Sequence, residues 1–113
     1  MDTLAATEAF AALAQKTRLE TFRLLVRYEP EGLAAGELAR RLDVPHNTLS
    51  AHLGVLSRSG LVTAERRGRT IVYRAALDAM GTLVEFLVHD CCADSGTVCQ
   101  SLVPLCNDSG ETT

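Results

Sequence analysis

Residues Leu42–Val62 read LDVPHNTLSAHLGVLSRSGLV, and this stretch decides the fold. Leu49, Leu53 and Leu56 recur at four and then three residues, the signature of one buried helical stripe. Pro45 opens the helix, since a residue lacking an amide donor costs nothing in the first turn. The spacing predicts a helix over Pro45–Ser59, with Gly60 supplying a left-handed stop. At about 100° per residue, Asn47, Ser50, Ala51, Gly54 and Arg58 fall opposite the leucines. That outward face is small and polar. His52 lies beside the stripe and is expected to be a packed or hydrogen-bonded structural histidine.

Upstream, Ala35–Leu42 (AGELARRL) reads as a short helix with Leu38 and Leu42 on one face, joined to the next by a tight turn. Glu29-Pro30-Glu31-Gly32 is a breaker. Before it, Lys16–Tyr28 carries Leu19, Phe22 and Val26 at helical spacing. Thr3–Ala14 carries Leu4, Phe10 and Leu13 with interleaved alanines, and both segments read as amphipathic helices. Downstream the period changes. Leu61–Arg67 and Thr70–Ala75 are extended runs around an Arg67-Gly68-Arg69 tip. In the second run Ile71, Tyr73 and Ala75 share one face, with Val72 and Arg74 on the other. A last helix is predicted from Leu77 to about Asp90, with Leu77, Met80, Val84, Leu87 and neighbouring Leu83 on one stripe and the cysteines following its end. Asn107–Thr113 is polar and expected to fray. The order is α-α-α-α-β-β-α, mainly helical with a small hairpin wing: a winged helix-turn-helix. Residues 1–90 are read as the winged helix-turn-helix domain, and 91–113 as a cysteine-bearing tail.

With 113 residues, 47% apolar and 22% charged, the chain suits one small domain and is short for most enzyme folds with deep pockets, so no enzyme is expected. It has no apolar run near the roughly 20 residues of a membrane span and no basic, apolar leader in Met1–Ala14, so a cytoplasmic protein is expected. The net charge of −3 conceals an asymmetry: residues 40–74 hold seven arginines against Asp43 and Glu65, and the rest holds four basic and twelve acidic residues. An acidic protein can thus present one basic face to a polyanion. Double-stranded DNA is the expected partner. The Pro45–Ser59 helix would enter a major groove, with Asn47 able to pair with adenine and Thr48 or Ser50 able to reach phosphate. Ala51 permits close approach, His46 sits at the helix entry where amides favour phosphate, and Arg58 lies toward the far end. Arg66, Arg67 and Arg69 of the wing are expected phosphate contacts.

All four cysteines, Cys91, Cys92, Cys99 and Cys106, lie in the last quarter of the chain. In a reducing compartment they are read as thiols rather than a disulfide framework.

Three segments together resemble the ArsR/SmtB family of metal- and metalloid-sensing bacterial repressors: Lys16-Thr17-Arg18-Leu19, the Leu42–Val62 stretch, and ERRGRTIVYR from Glu65 to Arg74. The resemblance covers about residues 4–92. It implies a homodimer on a pseudo-palindromic operator, released when an ion binds. It also implies dimerisation through the first and last helices, on which Leu4, Phe10, Leu77, Met80, Val84 and Leu87 are the candidate interface residues. One arsenical group of the family carries cysteines in the third helix; here Glu37–Leu42 has none. The zinc-sensing group places Asp and His ligands along the last helix. Asp78 and His89 are present here, but Met80 stands where a second ligand belongs. FLVHDCCADSGTVC, Phe86–Cys99, is similar to an arsenite-responsive group with a vicinal cysteine pair and a third cysteine beyond it. That likeness implies a repressor of an arsenic resistance operon.

Thiolates select soft ions. Trivalent arsenic or antimony takes three sulfurs in a pyramid, which Cys91, Cys92 and Cys99 would supply, with Cys106 optional and no organic cofactor. CC-x6-C-x6-C also offers four thiols, enough for tetrahedral zinc, cadmium or lead. A redox switch through a Cys92–Cys99 or Cys99–Cys106 disulfide is a further reading. A small thiol oxidoreductase is the remaining class, but a vicinal pair is not the C-x-x-C of such enzymes and no βαβ pattern surrounds it. In the mechanism expected, the two recognition helices read half-sites about 34 Å apart, and ion capture at the end of the last helix changes their relative placement.

Overall fold

The computed structural model describes residues 1–94, and side-chain surroundings over residues 1–88. Its elements are α1 (Thr3–Leu13), α2 (Lys16–Arg27), β1 (Leu33–Ala34), α3 (Ala35–Leu42), α4 (His46–Arg58), β2 (Val62–Arg67), β3 (Thr70–Ala75) and α5 (Leu77–Asp94). The strands form one antiparallel sheet in the order β1-β3-β2. This is a winged helix-turn-helix.

Local chemistry sets each boundary. The Asp2 carboxylate accepts from the Ala5 amide at 2.7 Å, and the Gln15 side chain accepts from Arg18 N at 2.9 Å, so α1 and α2 each have one orphan donor satisfied. Asp43 ends α3 in the left-handed region at φ 56°, a conformation that short polar side chains tolerate. Gly60 at φ 82° ends α4, and the Leu61 amide reaches back to the Leu56 carbonyl at 3.1 Å. Pro45 caps α4 from just outside it, in extended backbone, rather than occupying its first turn; its carbonyl takes the Leu49 amide at 3.0 Å.

Leu25, Leu38, Leu49, Leu53, Leu56 and Leu61 are fully buried and form the centre of the core, with Phe22, Val62 and Ala75 around them. The predicted leucine stripe of α4 is therefore the core face. Two other helices turn a different side inward. On α1 it is Ala6, Ala9 and Ala12 that are buried, while Leu4 and Phe10 face outward; the small side chains let α1 approach closely. On α2, Thr21, Phe22 and Leu25 are buried and Leu19 is exposed, so the inward face is rotated from the Leu19–Phe22–Val26 reading. The Thr21 hydroxyl is satisfied by donating to the Thr17 carbonyl at 2.7 Å.

The sheet departs from the reading in one way. β1 is an unpredicted third strand, pairing Leu33 with Tyr73 and Ala34 with Val72. The turn that precedes β1 lies over Val72, which is buried, whereas Ile71, on the face of Ala75 but nearer the hairpin tip, is exposed. Gly32 makes this possible: at φ 74° it sits so tightly that a Cβ there would lie 2.5 Å from the Tyr73 carbonyl oxygen.

α5 is longer than predicted and continues past Asp90 to Asp94, so Cys91 and Cys92 lie on its last turn rather than after its end. Its stripe also splits. Leu83 is buried, whereas Leu77, Val84 and Leu87 are exposed and Met80 is half-buried.

Candidate nucleic-acid interface

α4 presents His46, Asn47, Thr48, Ser50, Ala51 and Arg58 to solvent, opposite its buried leucines. No side chain caps its first turn and no acidic residue sits there, so the first amides stay open to an anion. Gly54 lies between these residues. A Cβ there would stand 3.3 Å from the Arg58 guanidinium, which folds back along the helix over the glycine. The face is thus low in relief, with hydrogen-bonding groups at the N-terminal end and one cation at the other.

His52 is half-buried, and its Nδ1 is 3.3 Å from an Arg18 guanidinium nitrogen, as expected for a structural histidine. A guanidinium only donates, so this ring nitrogen is the acceptor.

The β2–β3 hairpin carries Arg66, Arg67 and Arg69, all exposed, around Gly68 at φ 65°. The three are not equivalent. Arg67 donates to the Glu65 carboxylate at 2.9 Å and to the Glu31 carbonyl at 3.0 Å. Among the described residues, Arg66 and Arg69 have no such partner. The strand period places Arg66, across from Ile71, on the opposite face from Arg67.

α1 packs against α5. Leu4 and Phe10 are exposed on α1, and Leu77, Val84 and Leu87 on α5. Phe86 is exposed as well; the sequence reading passed over it because it stands off the Leu77–Val84 spacing. Cys91 and Cys92 follow on the same helix, while Cys99 and Cys106 lie outside the described residues. Among those residues no helix is long and apolar enough to cross a membrane.

A helix-turn-helix domain model matches residues 13–65. Transcriptional activator HlyU of Vibrio cholerae is 33% identical over 76 residues, 67% of this chain and 68% of that protein. The biofilm growth-associated repressor of Agrobacterium fabrum is 42% identical over 60 residues; the match is 53% of this chain but spans only about half, 51%, of that protein. Among solved structures, an ArsR-like transcriptional regulator from Rhodococcus sp. RHA1 superposes with a TM-score of 0.72 at 27% identity, over 90% of this chain and 92% of that one. The homodimeric winged helix-turn-helix DNA-binding domain of a possible ArsR-family transcriptional regulator from Mycobacterium bovis gives 0.60 at 31% identity, over 75% and 83%.

Proposed function

We propose that this chain, which belongs to the ArsR/SmtB family of winged helix-turn-helix transcriptional regulators, is a cytoplasmic homodimeric repressor of an arsenic resistance operon that releases duplex DNA when As(III) or Sb(III) binds Cys91, Cys92 and Cys99. The observation that carries the reading is a single helix, α5, with exposed Leu77, Val84 and Leu87 along its length and a vicinal thiol pair on its last turn. The M. bovis domain is homodimeric. A dimer formed here through α1 and α5 would place the sensing thiols beside the interface that spaces the two α4 helices. In the major groove, Asn47 addresses a base edge, while His46, Thr48 and Ser50 meet phosphate or base edges, Ala51 allows close approach and Arg58 adds a cation.

Soft sulfur donors suit a trivalent metalloid, and three suffice for its pyramidal geometry. Capture of the ion fixes the end of α5 and biases the dimer toward a spacing that no longer fits successive grooves. By linkage, such an ion binds more weakly to the DNA-bound dimer than to the free one. The fourth thiol, Cys106, supports a second reading in which a tetrahedral soft cation such as zinc, cadmium or lead is the effector.

The deciding experiment is a gel shift on the duplex upstream of the chain's own gene, with and without arsenite, for the parent and for Cys92→Ser. Arsenite should release the parent and leave Cys92→Ser bound. Binding by the parent that ignores arsenite overturns the metalloid assignment. Release by cadmium or zinc that disappears in Cys106→Ser would select the second reading.

A further inference from the structure

The turn ahead of the sheet grips the wing at three points. Glu29 accepts from Arg74 Nε at 3.0 Å and from Nη2 at 2.8 Å, a forked pair in which the glutamate side chain is only 13% exposed. The Glu31 carbonyl accepts from Arg67 at 3.0 Å. Between them Gly32 lies against the β3 backbone, with Val72 and Arg74 side-chain carbons 2.7 Å from where a Cβ would stand. Strand alternation puts Arg67, Val72 and Arg74 on the hairpin face that this turn covers, and Arg66 on the opposite one.

We infer that the Glu29–Gly32 turn is a positioning brace for the wing, with Arg74 and Arg67 as its anchors and Arg66 and Arg69 as the cations left to meet phosphate. The inference rests on the DNA-binding reading of the wing. A guanidinium forked onto a carboxylate has its paired donors occupied and cannot present them to a phosphate at the same time. Holding the hairpin at a fixed pitch before binding removes an ordering cost from association. Two of the basic residues near the wing therefore act through its placement, not through contact.

Glu29→Gln separates this idea from simple charge counting. The change removes a negative charge, so electrostatics alone makes the protein bind a random-sequence duplex more tightly. The brace makes it bind more weakly, by about threefold or more, with faster amide exchange in the hairpin of the DNA-free protein. Arg74→Lys, which keeps the charge and loses the fork, should do the same. Arg66→Ala and Arg69→Ala should each flatten the dependence of log affinity on log salt by about one, whereas Arg67→Ala should leave that slope unchanged. The charge exchange Glu29→Arg with Arg74→Glu should recover the parent's hairpin protection. Glu29→Gln binding as tightly as the parent, or leaving hairpin exchange unaltered, overturns the brace. If the parent binds no duplex at all, the DNA-binding reading fails, and the exchange measurement still decides whether the turn orders the hairpin.

Discussion

The Arg18 guanidinium on α2 stands 3.3 Å from His52 Nδ1 on α4, and the same side chain donates through Nε to the Ala12 carbonyl near the end of α1. One arginine thus ties three helices, including the one that carries the proposed DNA-reading face. Arg18→Ala removes both bonds and leaves a partly buried carbonyl and ring nitrogen without their donor. Stability should fall by about 1–2 kcal/mol, read as a lower urea midpoint with an unchanged slope. Arg18→Lys should recover only part, because a compact ammonium does not span acceptors on two helices as a fork does.

Two glycines should respond oppositely to alanine. Gly32 combines φ 74° with a Cβ position 2.5 Å from the Tyr73 carbonyl oxygen, so Gly32→Ala meets both backbone strain and a clash. A loss of more than about 1 kcal/mol is expected. Gly36 lies within α3 with nothing within 4 Å of a Cβ. Gly36→Ala should instead stabilise by about 0.5–1 kcal/mol, since it removes helix-disfavouring backbone freedom without touching a neighbour. Thermal melts of the two variants check the opposite signs.

The contrast between those glycines shows what one sequence can disclose. Leu49, Leu53 and Leu56 are legible because a helix packed on one side writes its period into the chain, and the exposed face of α4 follows by rotation. β1 is not legible: Leu33 and Ala34 are too few for any period to appear. α2 offers apolar residues on more than one side, and only its neighbours decide that Leu25 turns inward and Leu19 outward. α5 is similar, since Leu83 packs inward while Val84, one residue on, faces out. Arginines in the wing announce charge but not partners. Arg67 bonds to a carbonyl 36 residues earlier and Arg74 to a carboxylate 45 residues earlier, pairings that no local pattern encodes.

The Glu29–Arg74 pair has a pH signature. The hydrogen bonds from Arg74 hold the Glu29 carboxyl below its ordinary value, against the opposing effect of burial. A carboxyl whose pKa is depressed on folding stabilises the fold above its unfolded pKa, and that contribution disappears as pH falls through the folded one. The stability difference between the parent and Glu29→Gln should therefore be greatest near neutrality. It should narrow on acidification through and below the usual carboxylate range. Urea titrations of both proteins at several pH values test this, and a gap that stays constant or widens in acid contradicts the pairing.

Leu77, Val84, Phe86 and Leu87 are exposed on α5, and Leu4 and Phe10 on the adjoining α1. So many large apolar side chains on neighbouring helices are costly to leave in water, and a second copy of the same surface would cover them. Replacing Val84 and Leu87 together with Asp puts two charges where that contact would form, while Leu83 and the buried core stay untouched. Sedimentation equilibrium should show the variant as a monomer. Its affinity for the duplex should fall by about a hundredfold or more, because each half-site must then be held without the effective concentration supplied by its twin. The helical content should be retained, since these side chains contribute little to the fold of one subunit. A variant that remained dimeric would move the interface away from α5, and with it the route by which thiols at the end of that helix could reach the DNA-facing surface.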